Sequence, residues 1–173
     1  METWIFLLLT IVSCGSLVLI VYRFLNKQNE KELLSLKKEL HMQRQEFFLP
    51  SRLDAYQRAV LFLERIHPNS LIMRGHDPNL NAVLFQAELV KSVRSEFEHN
   101  LAQQIFISAG SWEVIRNSKE EVIKLIHMAG SQMGEKSTSI DLSAKILEII
   151  AQLEEFPTSI ALKIVKKEFQ ELF

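Results

Sequence analysis

Cysteine is nearly missing from this 173-residue chain. Cys14 stands alone, so no intramolecular disulfide can close and no set of thiolates can hold a metal ion or cluster. That fits a reducing compartment. Charge of one sign is missing as well: twenty Lys and Arg face twenty-one Asp and Glu, and the basic footprint of a nucleic-acid binder is excluded. Also lacking are a Gly-rich phosphate loop, a G-x-S-x-G elbow, an H-E-x-x-H pair and a cysteine nucleophile in the polar part of the chain. No run alternates at the period of a strand, and no internal repeat is visible. A hydrophobic content of 47% nevertheless excludes wholesale disorder, so the chain must fold by burying helices.

What is present begins with a long uncharged segment, Trp4 to Tyr22, nineteen residues that as a helix rising about 1.5 Å per residue match the hydrocarbon core of a bilayer. Trp4 and Tyr22 mark its two ends, where amphipathic rings prefer the headgroup level. A cleaved signal peptide would want a basic residue ahead of the apolar stretch, and Met1-Glu2-Thr3 supplies none. Ile11-Val12-Ser13-Cys14 loosely resembles a lipobox, but cleavage there would leave Leu17 to Tyr22 as an apolar stub. The expectation is a single-pass anchor, residues 1–25, contacting lipid through residues 4–22. Arg23, Lys27, Lys31, Lys37 and Lys38 follow the span, while Glu2 precedes it, so the positive-inside rule predicts a C-terminal domain in the cytoplasm. Gly15 has Ile11 and Leu19 four positions away on either side, so the span carries no small-xxx-small dimer motif.

Residues 26–49 read as a helical stalk. They contain neither Gly nor Pro, and Leu33, Leu36, Leu40 and Phe47 fall at coiled-coil spacing with Gln43 in the remaining slot. The stalk could bind a protein partner, pair with a second copy or lie against its own domain. Pro50 is expected to end it, with Ser51 and Asp54 opening a new helix in the manner of a capping box.

Residues 50–173 should form a soluble bundle of about five helices, completing an all-α chain of anchor, stalk and bundle. The first helix runs from Arg52 to about Ile66 with Leu53, Tyr56, Val60 and Leu63 inward, followed by a connector through Leu71-Ile72-Met73. Asp77-Pro78 reads as a cap and first turn for a long central helix to roughly Gln104, with Leu80, Leu84, Ala87, Val90, Val93, Phe97 and Leu101 facing the core. Ala109-Gly110-Ser111 should interrupt before a helix from Trp112 to about Ala129, with Trp112, Ile115, Val122 and Ile126 inward. Thr138 and Asp141 suggest another capped start, for a helix marked by Leu142, Ile146, Ile149, Ile150 and Leu153. Pro157 restarts the chain for the last helix, striped by Ile160, Ile164 and Leu172 beside Val165 and Phe169.

Polar constellations are few. His76-Asp77, with His41 or His67 upstream and Asp141 downstream, resembles the ligand order of helical HD-type metal phosphohydrolases, but Pro78 forces Asp77 out of the helical geometry that order needs. Glu96, His99, Asn100, Gln103 and Gln104 offer pairs one turn apart on the central helix, a candidate partner or ligand surface. No nucleophile or metal set accompanies them, so neither a catalytic residue nor a cofactor is expected.

Leu61-Phe62-Leu63-Glu64-Arg65-Ile66 with Pro68, and Glu96-Phe97-Glu98-His99-Asn100-Leu101 with Gln103-Gln104, resemble an uncharacterised family of small single-span proteins from Bacteroidota. That resemblance implies an inner-membrane setting and carries over no activity and no binding residues. The function expected is a membrane-anchored interaction or scaffold protein, not an enzyme. The alternative is a small-ligand sensor or enzyme using the Glu96, His99 and Gln103 face.

Overall fold

A computed structural model describes the backbone of residues 2–172 and the side chains of residues 15–17 and 21–172. It is all-helical, as the missing strand periodicity required: α1 (Glu2–Ile66), α2 (Pro68–Gly75), α3 (Ala82–Asn100), a 3-10 turn (Leu101–Ile105), α4 (Ala109–Gly130), α5 (Ser139–Ala151) and α6 (Pro157–Glu171). Among the described residues the sole bridge of strand type joins Asn81 and Thr138. The chain divides into two compact units, Met1–Leu49 and Pro50–Phe173. No helix among the described residues is long and apolar enough to cross a membrane, and most of the Trp4 to Tyr22 run lies outside those described at side-chain level.

Pro50 does not break α1. Its missing N–H costs one ladder bond, to the Glu46 carbonyl, and at an exposed position water can satisfy that carbonyl, so the flanking turns outweigh the loss. Asp54 therefore caps nothing; it accepts from Arg58 Nε at 2.7 Å one turn further on.

The Asp77-Pro78 cap is also corrected. Asp77 Oδ1 accepts the Asn79 N–H at 2.9 Å and closes a turn, while the cap of α3 is Asn81, whose Oδ1 accepts from Leu84 N at 2.9 Å. The backbone between them is already spoken for. Ala82 N donates to Ser137 O at 2.9 Å, Ser139 N to Leu80 O at 3.1 Å and Ser139 Oγ to Asp77 O at 2.8 Å, so loop pairs with loop. The Leu71-Ile72-Met73 connector is helical, since Pro68 at the first position of α2 and the burial of Leu71 and Ile72 stabilise it. Ala109-Gly110-Ser111 is the first turn of α4, because Ser108 Oγ accepts the Ser111 N–H at 3.2 Å and caps it. The Thr138–Asp141 capping box forms with both arms, and α6 starts at Pro157.

The second unit has one hydrophobic core, into which α1 contributes Ala55, Tyr56, Ala59, Phe62, Leu63 and Ile66. From α3 the buried residues are Ala82, Phe85, Leu89, Val90 and Val93; of the expected stripe Leu80, Val90, Val93 and Phe97 are buried or pack against the core, whereas Leu84, Ala87 and Leu101 are exposed and Phe85 and Leu89 take the inner positions. On α4, Ile115, Val122 and Ile126 are buried and Trp112 half-buried, as expected. The α6 stripe is corrected: Thr158, Ala161, Leu162 and Val165 face inward, and Ile160, Ile164 and Leu172 are exposed. His67 caps α2 with its ring edge-on to Phe156, and burial there pushes its imidazole below the ordinary range against the opposing effect of Glu64.

Candidate functional site

The Glu96 face divides into two parts. Glu96 is an ion-pair hub: its Oε1 lies 2.7 Å from Arg65 Nη2 and 3.3 Å from Arg74 Nη1, and Arg74 Nη2 also donates to the Arg65 carbonyl at 2.9 Å. A single carboxylate thus ties the end of α1 and the end of α2 to α3, and both cations sit near the negative ends of their helices. Both arginines are more than one-third exposed, so screening keeps each ion pair within about 1 kcal/mol.

His99 does not join that hub. Its ring is exposed, and Nδ1 donates to the Ser95 carbonyl at 2.6 Å, which places the proton on Nδ1. Asn100 likewise turns back on its own helix, donating Nδ2 to the Glu96 carbonyl at 2.7 Å. Gln103 and Gln104 lie past the end of α3 in the 3-10 turn, where three residues per turn replace 3.6 and the expected one-turn partners fall out of line. Among the described residues no hydrogen bond joins His99 to Gln103 or Asn100 to Gln104. Arg65, Lys91, Ser95, Glu96 and His99 border an open depression of about 480 Å³, to which Gln103 does not contribute. Its walls are charged and solvated. Replacing His99 with Ala should leave the melting temperature within about 2 °C of wild type, because exposed substitutions away from caps and networks usually stay within about 0.5 kcal/mol. A larger drop in a thermal melt followed by circular dichroism would show that His99 has structural work the exposed ring does not reveal.

The HD-like residues do not converge either. His76 is exposed after the end of α2, Asp77 is committed to the Asn79 turn and Asp141 to the Thr138 cap. Among the described residues no three His, Cys, Asp or Glu side chains gather as metal ligands would.

The most concentrated polar chemistry was not anticipated. Glu168 on α6 accepts hydrogen bonds from the Tyr56 hydroxyl of α1, from Ser108 N at 3.2 Å, from Ser108 Oγ at 2.8 Å and from the Ser111 hydroxyl at the start of α4. Burial pushes the Glu168 carboxyl up, but the bonds from Ser111, Tyr56 and Ser108 prevail and hold it below the ordinary carboxylate range. Burial, followed by the bond to and the charge of Glu168, pushes the Tyr56 phenol up to about 12. A signal was available. Glu168 stands three residues after Val165 on the inward stripe of α6, where a carboxylate needs donors. With its oxygens accepting from Tyr56, Ser108 and Ser111, this carboxylate fastens α1, α4 and α6 together.

Beside it, Leu53, Tyr56, Val60, Leu61, Val165 and Phe169 line an apolar groove of about 510 Å³ between the end of α1 and α6. These helices carry a solvated polar face and a mostly apolar groove on an all-helical fold. The chain belongs to the family of unknown function DUF7935, whose family model matches residues 1–172. No curated protein and no solved structure matches it.

Proposed function

We propose that the chain is a membrane-anchored helical interaction or scaffold protein, with its second unit in the cytoplasm. The observation that carries this reading is the uncharged run from Trp4 to Tyr22, bounded by aromatic residues and followed by Arg23, Lys27 and Lys31 on one continuous helix. The commitment of Glu96, Asp77, Asp141 and Glu168 to caps, ion pairs and hydrogen bonds supports a binding role over a catalytic one. A second reading, a small-ligand sensor or enzyme at the Glu96 face, draws on the open depression beside His99. Arg65 and Arg74 already occupy the carboxylate that a cationic ligand would need, which weakens it.

The full chain should stay with bacterial membranes through an alkaline carbonate wash, and a C-terminal reporter active only outside the cytoplasm should be silent. Release into the wash would reject the anchor, and a bright reporter would reject the orientation.

A further inference from the structure

We infer that the stalk on α1 pairs in parallel and in register with the stalk of a second copy of this chain. Leu33, Leu36, Leu40 and Phe47 are 53%, 54%, 47% and 78% exposed, a stripe of large apolar groups at the three-and-four spacing of a coiled-coil seam. That spacing fixes the frame: Leu33, Leu40 and Phe47 take the a positions, and Leu36 and Gln43 the d positions. The flanking charges then follow without further choice. The g positions are Glu32, Glu39 and Glu46, and the e positions that follow are Lys37 and Arg44.

In a parallel pair each g residue faces the e residue five positions on in the other strand, so Glu32 meets Lys37 and Glu39 meets Arg44, attractive in both cases and made twice by symmetry. In an antiparallel pair g faces g, which would set Glu against Glu. The charges therefore select one orientation. Among the described residues no salt bridge engages Glu32, Lys37, Glu39 or Arg44 within its own chain, although ten salt bridges form in the second unit. Two heptads make a weak seam in free solution. The inference rests on the anchored reading at one point, namely that two copies held in one bilayer reach a high effective concentration with their stalks pointing the same way. Gln43 at a d position limits the strength of the pair and favours the register that aligns it with its own copy.

Cross-linking of the full chain in isolated membranes tests this. In a Cys14→Ser background, Leu36→Cys should oxidise to a disulfide-linked species of twice the chain mass, because facing d positions lie within disulfide reach. Lys38→Cys, at the outward f position, should stay monomeric. Adding Glu39→Lys to the Leu36→Cys chain should abolish the linked species by setting Lys against Arg44, and a further Arg44→Glu should restore it. Equal cross-linking from both cysteine positions, indifference to the charge reversal, or a product of some other mass would overturn the pairing. A carbonate wash of the same membranes reads the anchor separately. Should the wash release the chain, the tethering that the pairing depends on is gone and the inference falls with the anchor; absence of the linked species in a chain that the wash retains overturns the pairing alone.

Discussion

Phe62→Ala is expected to destabilise the second unit by about 3–5 kcal/mol, the range for emptying a buried aromatic site in a core that cannot fully collapse. Phe62 is 1% exposed and begins a ladder of rings: its centroid lies 5.7 Å from Phe97, which stacks on Trp112 at 5.6 Å, with Lys119 Nζ 4.4 Å from the Phe97 centroid. The ladder crosses from α1 through α3 to α4. Truncation at its buried end therefore leaves a void and withdraws the support that orients the half-buried Phe97. A domain of this size holds roughly 5–15 kcal/mol in total, so the loss would take away a large part of it.

Urea unfolding followed by circular dichroism should show a lower midpoint with an unchanged slope. Phe62→Leu, which keeps most of the volume, should cost less than half as much. Equal losses from the two variants would mean that ring stacking, not volume, dominates at this site. A loss below about 1 kcal/mol from the alanine variant would mean that α1 closes over the void.

Helix type was readable from the chain because it depends on local spacing. Ile115, Val122 and Ile126 repeat at turn intervals and are buried, and Thr138 with Asp141 makes its cap from residues three apart. Phase was less readable. Asp77-Pro78 offered a well-formed start, but Asp77 closes a turn and Asn81 caps, since the Ser137–Ser139 loop takes up the intervening backbone. That pairing spans some sixty residues and leaves no local trace. In the central stripe Leu80, Val90, Val93 and Phe97 were legible, but at its N-terminal half Phe85 and Leu89 are buried where Leu84 and Ala87 were expected. The polar face failed for a related reason: one-turn spacing assumed an α-helix through Gln104, but the chain tightens after Asn100. Glu168 was passed over because its donors come from Tyr56, Ser108 and Ser111, distant in sequence and unremarkable alone.

Glu168→Ala should cost about 2–3 kcal/mol, since it deprives the buried Tyr56 and Ser111 hydroxyls of their shared acceptor, and unmet buried donors cost about 1–3 kcal/mol. The pH dependence assigns the effect. The Glu168 carboxyl is depressed in the folded chain, so its contribution is present above the ordinary carboxylate value of 4.5 and fades as pH falls through the lower folded value. The Tyr56 phenol is raised from 10.0 to about 12, so its contribution is present below pH 10.0 and is lost as pH climbs toward 12. Glu168→Gln keeps one carbonyl acceptor, so it should cost less than alanine. Its stability deficit against the native chain should narrow below pH 4.5, because only the native chain still loses the carboxylate there. Tyr56→Phe should keep the part of that acid loss that the Ser111 and Ser108 bonds sustain and remove the alkaline one between pH 10 and 12. Comparing each variant with the native chain at the same pH cancels the titration of distant groups. A deficit for Glu168→Gln that stays constant from pH 3 to pH 7 would show that the carboxylate charge contributes nothing, leaving hydrogen-bond geometry alone to join α1, α4 and α6.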